Sequence, residues 1–271
     1  MSGLDIYAAS FLDPFDGKIT QPKILDGSVT RSSGLKFRQT GSFTLDATGA
    51  DNYICILPGL SNGLLMRKAA DGAWTMPNAY PTHLGTTTNR ANVRKCRLVS
   101  TALKLSLLNS SDDNEGYWEA VRVPTEGLIV SDTTAPVGED YRIRTTATFA
   151  LTDLANYNTF QTGRLRDLHR FLFKLNSTAP DHTFKDILGA SDIPAVKDCY
   201  DEAFDMVFIR IVGRVDAVTP SMIQYDFVAN MEVVYKDDTV MAKLATINTM
   251  VPNIGMLLDR TRFILPAIQI A

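Results

Sequence analysis

The 271-residue, 29.9 kDa chain is 45% hydrophobic and 21% charged, a balance that belongs to a folded globular protein with material for one large domain or two small ones. No apolar run approaches the ~18 residues of a membrane-spanning helix, and the opening MSGLDIYAASFLDPFDGK lacks the basic start and apolar centre of a secretory signal, so synthesis in the cytosol or nucleus with no membrane partner is expected. A net charge of −3 and a pI near 5.6 exclude a chain that is basic throughout, so any nucleic-acid contact must be local.

Residues 1–34 mix short apolar pieces with Pro14, Pro22 and several glycines and hold no helical or strand period, which predicts an extended arm or wrapping segment. From Leu35 the period is two: Leu35, Phe37, Gly41, Phe43 and Leu45 face one way while Lys36, Arg38, Thr40 and Thr44 face the other, a half-buried strand. DATGAD turns the chain, NYICILPG and GLLMRKA supply two further strands, and residues 71–94 form a long loop with Pro77, Pro81 and Trp74. Loops of that length are functional or lie at a contact. Between Asp71 and Asp112 there is no acidic residue, while Arg90, Arg94, Lys95, Arg97 and Lys104 all fall there.

KCRLVSTALKLSLLN and GYWEAVRVP then predict two strands folded back on one another as a hairpin across the acidic loop at Asp112, Asp113 and Glu115. YRIRTTATFAL, residues 141–151, alternates again. Residues 162–175 space Leu165, Leu168, Leu172 and Leu175 as one face of a helix with Arg164, Arg166 and Arg170 largely off it, and residues 191–204 start a second helix behind Ser191, Asp192 and Pro194. MVFIRIVGRV and MIQYDFVANMEVVY are the clearest strands; in the second, every odd position from Ile223 to Tyr235 is apolar. The tail, residues 251–271, is too apolar to be left in water, and with Phe263, Ile264 and Leu265 it is expected to be buried in its own domain or in a neighbour. About eight strands, two short helices in the connections and no βαβ alternation predict an all-β, antiparallel two-sheet sandwich spanning residues 35–250, with an arm at each end.

Chemistry is sparse. Cys55, Cys96 and Cys199 are far apart and set among apolar residues, as buried free thiols are, and His83, His169 and His182 share no metal-ligand spacing. No nucleophile elbow, zinc helix, phosphate loop or C-x-x-C motif occurs, so no catalytic residue is assigned. Asp112, Asp113 and Glu115 offer the several oxygens a hard cation such as calcium wants at a subunit contact, against the alternative of a solvated turn. Arg90, Arg94, Lys95 and Arg97 form a local basic patch suited to nucleic-acid phosphate, against a solvated strand edge or intersubunit salt bridges. Trp74 and Trp118 support a carbohydrate- or receptor-binding sandwich as a rival reading, and Asp201, Glu202 and Asp205 a weaker hydrolase one.

The run RLVSTALKLSLLNSSDDNEGYWEAVR, residues 97–122, resembles the capsid proteins of small eukaryotic viruses, both circular single-stranded DNA viruses of the bacilladnavirus-like group and their nodavirus-like and tombusvirus-like RNA relatives. There a V-S-x-x-L-K-L strand, an Asn/Asp-rich turn and a G-x-[WF]-E-A-x-R strand sit within a jelly-roll shell domain. The resemblance implies an eight-stranded jelly roll that self-assembles into an icosahedral shell, with viral nucleic acid on its inner face, a host receptor as a further partner, the virion as its location, and Trp74, Phe263, Ile264 and Leu265 in assembly contacts. Two features depart from the family. Residues 1–40 balance Lys18, Lys23, Arg31, Lys36 and Arg38 against Asp5, Asp13, Asp16 and Asp26 and so form no basic arm. The tail offers only Asn253-Ile254 for a nodavirus-type cleavage, which is therefore not carried over, and a separate projecting domain is not expected.

Overall fold

A computed structural model of the chain describes residues 3–27, 29–45, 51–59, 63–68, 92–109, 115–124, 129–130, 142–143, 154–176, 183–186, 201, 203–214 and 220–247. The longest alternations become the longest strands: β1 (Arg31–Thr44), β4 (Val93–Leu107) and β12 (Met222–Tyr235) lie side by side, and β2 (Asn52–Ile56), β5 (Gly116–Pro124) and β11 (Asp205–Gly213) form the centre of a second sheet. Shorter strands complete them. β9 (Leu172–Lys174) and β10 (Lys185–Asp186) pair with the free side of β4, and β13 (Thr246–Ile247) closes the other side beyond β1. In the second sheet β3 (Leu64–Lys68) pairs with β2, and β8 (Gln161–Arg164) pairs with β5. A separate two-stranded ladder joins β6 (Ile129–Val130) to β7 (Arg142–Ile143), the described part of the strand expected over residues 141–151.

The pairing order defines the topology. β1 pairs with β12, β2 with β11, β4 with β9 and β5 with β8, all antiparallel, so first meets last and each inner pair nests inside the outer one. That is a long antiparallel ribbon rolled up so that its strands fall on two facing sheets, the eight-stranded jelly roll. It corrects the expected hairpin: β4 and β5 lie in opposite sheets, and the chain between them crosses the sandwich. Residues 108–115 are long enough to bridge the ~10 Å between facing sheets, and alternation shows that a segment is a strand without showing its neighbour.

Between the sheets Ile223, Tyr225, Phe227, Ala229, Met231 and Val233 of β12 meet Val207, Ile209 and Ile211 of β11 and Trp118 of β5. Each such side chain withdrawn from water contributes ~1.5–3 kcal/mol. The second sheet is apolar on its outer face too, where Tyr53, Cys55, Val121, Val123, Met206 and Phe208 are capped by Leu154, Tyr157 and Phe160. Cys55 and Cys96 are buried free thiols, as expected, and Cys199 lies outside the described residues.

The segment expected to be a helix over 162–175 is instead β8, a single 3₁₀ turn at Leu165–Arg170, and β9. Leu165 and Leu168 are buried by the three-residue period of that turn, after which alternation takes over and Phe173 and Leu175 point inward while Leu172 is half-buried. The second expected helix, residues 191–204, lies almost wholly outside the described residues, and Ala203 and Phe204 are not helical. Helices appear elsewhere, as α1 (Gly3–Leu12) and α2 (Val240–Leu244), the latter capped by Thr239 Oγ1, which accepts from the Ala242 N–H.

Residues 3–27 do not extend away. They fold back over the outer face of the first sheet, burying Ala8, Ala9, Ile19 and Ile24. The tail, residues 251–271, is outside the described residues.

Candidate nucleic-acid interface

The basic stretch at the start of β4 is divided by backbone register. Opposite β12, Ser100 faces Asn230 but Leu98 faces Met231, so Val99 is an extra residue, a β-bulge. Apolar positions accordingly change parity: Leu103 and Leu105 reach the core on one side of the bulge, Cys96 and Leu98 on the other. Arg97 is thereby turned to the outer face, beneath the returning N-terminal segment. It is 1% exposed. Its Nε and Nη2 donate to Glu232 Oε2 at 2.9 and 2.8 Å, its Nη1 to Asp26 Oδ2 at 2.5 Å, and its guanidinium stacks 4.1 Å from the Phe184 ring centroid. This corrects the expectation for Arg97: its charge is consumed inside the protein and is closed to phosphate. Arg94 is exposed and Lys95 half-buried, in register with Val234 and Asp186, so these two keep their place at the surface; Arg90 lies outside the described residues.

Around Arg97 a charged cluster latches the N-terminal segment to the sheet. Glu232, fully buried on β12, accepts from Ser32 Oγ and from the Ile24 N–H at 3.1 Å as well as from Arg97. Lys23 Nζ donates to the carbonyls of Ser32 at 2.5 Å and Thr246 at 2.9 Å and to Thr246 Oγ1 at 2.8 Å; burial pulls its pKa below the ordinary lysine value, against the raising effect of Glu232. Farther along, lysines standing on the sheet bind main-chain carbonyls of the segment: Lys36 Nζ donates to Asp16 O at 2.6 Å and Lys174 Nζ to Phe11 O at 3.0 Å. The buried Asn230 Nδ2 bridges Ser100 Oγ at 2.9 Å and Pro14 O at 3.2 Å. Gly34 lets the strap lie this close, because a Cβ there would come within 2.4–2.5 Å of the Gln21–Pro22 backbone.

The remaining expected residues separate as follows. Trp118 is fully buried, packed edge-on against Phe171 at 4.5 Å and Phe173 at 5.3 Å, which corrects its reading as a sugar platform. Asp201, 1% exposed, accepts from the Leu98 and Ala203 N–H groups, and Asp205 accepts from the Asn176 N–H at 2.7 Å and from Arg122 at 3.1 Å. Burial pushes the Asp205 carboxyl above the usual carboxylate range in spite of those donors. Both carboxylates are buried and spend their oxygens holding loops to strands, which is a structural use and not the paired acid and base of the weaker hydrolase reading. Glu115 is exposed and 3.7 Å from Arg214, while Trp74, Asp112, Asp113, Glu202, Phe263, Ile264 and Leu265 lie outside the described residues. Among the described residues no three His, Cys, Asp or Glu side chains converge as metal ligands, and no described helix is long and apolar enough to cross a membrane.

The Lys23–Asp26–Arg97–Glu232 latch escapes a reading by composition, since Glu232 looks like one more outward polar position in an alternating strand. One signal was present: the apolar positions of β4 change from even (Cys96, Leu98) to odd (Leu103, Leu105) across Val99–Thr101, the mark of a bulge that turns Arg97 onto the face of Ser100 and Lys104.

Comparison with known proteins agrees with this architecture. The profile of the family described as Shotokuvirus capsid protein matches residues 6–81, 68–198 and 185–263. The capsid protein of Avon-Heathcote Estuary associated kieseladnavirus is 30% identical over 282 residues, spanning 82% of this chain and 76% of that protein. The capsid protein of Chaetoceros diatodnavirus 1 is 28% identical over 290 residues, spanning 85% and 73%. Among solved structures, that of infectious bursal disease virus Gx strain superposes with a TM-score of 0.53 at 13% identity over 96% of this chain and 94% of that one, a likeness of fold alone.

Proposed function

Given that the chain belongs to the Shotokuvirus capsid protein family, we propose that it is the coat subunit of an icosahedral virion, tiling against copies of itself around the viral genome. The nested pairing of β1 with β12 and β2 with β11 carries this reading, because it makes a rigid two-sheet block of the kind that can tile against copies of itself. A closed shell needs several self-complementary contacts, each large enough to outweigh the entropy of association. The apolar tail, residues 251–271 with Phe263, Ile264 and Leu265, and the loop bearing Trp74 supply such contact surface. Arg94 and Lys95, with Arg90, direct positive charge toward encapsidated nucleic acid. The buried carboxylates Asp201, Asp205 and Glu232 serve structure, which fits a protein with no enzymatic task.

Sedimentation and negative-stain microscopy of the purified chain test the proposal. Particles of tens of subunits are expected from the full chain, and a soluble, folded, unassembled product from a chain truncated at residue 250. A full chain that stays monomeric at every salt and protein concentration overturns the shell reading; intact particles from the truncated chain overturn the role given to the tail.

A further inference from the structure

The N-terminal segment has little positive charge to give to a genome. Lys23 is buried in the latch, Lys36 is bound to Asp16 O, and Arg38 pairs with Asp226. Arg97 is consumed as well. Among the described residues the tightest grouping of exposed positive side chains lies instead between β8 and β9, where Arg164, Arg166 and Arg170 fall within seven residues and His169 is exposed beside them. The 3₁₀ turn is what presents them. With three residues per turn, side chains at i and i+3 eclipse, so the pair Leu165 and Leu168 takes the buried strip and Arg166 and Arg170 occupy the two strips left to solvent, with the exposed Arg164 just ahead of them at the end of β8. Asp167 is the acid on this turn and stands 3.5 Å from Arg170, whereas neither Arg164 nor Arg166 has an ion-pair partner among the described residues.

Two exposed aromatic rings flank the arginines. Tyr117, 39% exposed, is the ladder partner of Arg164 across β5 and β8. Phe171, 37% exposed, is held by its edge contact with the buried Trp118. Guanidinium groups match phosphate oxygens in pairs, and exposed rings on a rigid frame stack with unpaired bases. Both rings also pack within the protein, Phe171 on Trp118 and Phe173 and Tyr117 with the Arg210 guanidinium 6.0 Å from its centroid, yet each leaves part of its surface in solvent, which an acidic protein partner would not need and a base would use.

We infer that the surface formed by Arg164, Arg166, Arg170, Tyr117 and Phe171 binds single-stranded nucleic acid, the arginines taking backbone phosphates and the rings taking bases. The inference deepens the shell reading, from which the identity of the polyanion comes, by giving the genome a second surface at the rim of the second sheet.

Fluorescence anisotropy of the full chain with a labelled oligothymidylate, run through a salt series, tests it. In the Arg164→Ala/Arg166→Ala/Arg170→Ala variant the slope of log affinity against log salt should flatten by about 2, with roughly 100-fold weaker binding near ~0.1 M salt, the loss of three phosphate contacts on a single strand. Tyr117→Ser should weaken binding by about 5-fold or more and leave the slope unchanged, as loss of stacking does. Circular dichroism checks that both variants fold, and Arg166→Glu, a change of one exposed side chain, gives an independent loss of the same sign. Unchanged affinity and slope in the triple variant overturn the inference. So does a variant that loses heparin binding while keeping the oligonucleotide, which would mark a sulfated-glycan surface, and so does one that keeps the oligonucleotide and loses particles, which would mark a contact between copies. Sedimentation is read in parallel, so a parent chain that binds the oligonucleotide without assembling sinks the shell reading and leaves this surface standing.

Discussion

Changing Glu232 to Gln removes one charge and almost no volume at the point where four parts of the chain meet. The carboxylate accepts from Ser32, Ile24 and both Nε and Nη2 of Arg97, and it is fully buried. An amide in its place presents an NH₂ group to one set of those donors and leaves Arg97, 1% exposed, with Asp26 as its remaining carboxylate in the cluster, while Lys23 loses the raising influence of Glu232. Removing one partner of a buried pair costs ~3–5 kcal/mol, because the surviving charge stays out of water. With a urea m value of about 3 kcal/mol/M, this predicts a midpoint lower by about 1–1.7 M in urea unfolding of the unassembled chain followed by tryptophan fluorescence. The double change Arg97→Met/Glu232→Met should cost less than either single change, since two apolar side chains of similar size need no compensation. A midpoint within ~0.3 M of the parent for Glu232→Gln, equivalent to about 1 kcal/mol, or a double variant whose cost is the sum of the two singles, would refute the view that this cluster is a coupled latch.

Gly34→Ala should loosen the strap without touching a charge, because the new Cβ meets Gln21–Pro22 backbone at 2.4–2.5 Å and backbone cannot rotate away; about 1–3 kcal/mol of overpacking should appear as faster proteolysis within residues 3–27, and an unaltered cleavage rate would contradict the packing. Alkaline stability carries a second signature. The Tyr53 hydroxyl is pushed up to about 12, first by burial and then by its hydrogen bond to Asp51, and burial raises the Cys55 thiol well above its ordinary range. The unfolded chain ionises these groups at their ordinary values, near 9 for the thiol and 10 for the phenol, so the folded state holds protons that the unfolded state has lost, and stability present below pH 9 should fall as pH rises through 12. Lys23, Lys36 and Lys174, all lowered by burial, act with opposite sign below about pH 10.5. The decisive comparison is therefore Tyr53→Phe against the parent, whose melting temperatures between pH 9 and 12 should fall less steeply in the variant.

Much of the fold is written in local pattern. The odd apolar positions of β12, the inward Val207, Ile209 and Ile211 of β11, and the burial of Cys55 and Cys96 follow from alternation and residue size, because a strand with one apolar face has one way to satisfy it. Pattern failed where two periods coincide. Leu165, Leu168, Leu172 and Leu175 fit a helix on paper, yet a 3₁₀ turn followed by a strand buries Leu165, Leu168, Phe173 and Leu175 just as well, and strand pairing with β5 and β4 decided between them.

What the sequence by itself determined is which segments are strands and which side chains must leave water, since both depend on neighbours within a few residues. Partner choice belonged to the tertiary structure. That β4 lies beside β12 and β9, and not beside β5, is a matter of how a ribbon closes over long stretches of chain, about seventy residues from Lys104 to Leu172 of β9 and more than a hundred from Leu107 to Ile223 of β12, where alternation is silent. The same holds for charge: Arg94, Lys95 and Arg97 look equivalent along the chain, and one inserted residue at Val99, together with the return of residues 3–27 over the sheet, leaves Arg94 in solvent and seals Arg97 against Glu232. An isolated arginine prefers water; it is buried here because the fold brings two carboxylates and an aromatic face to the same point.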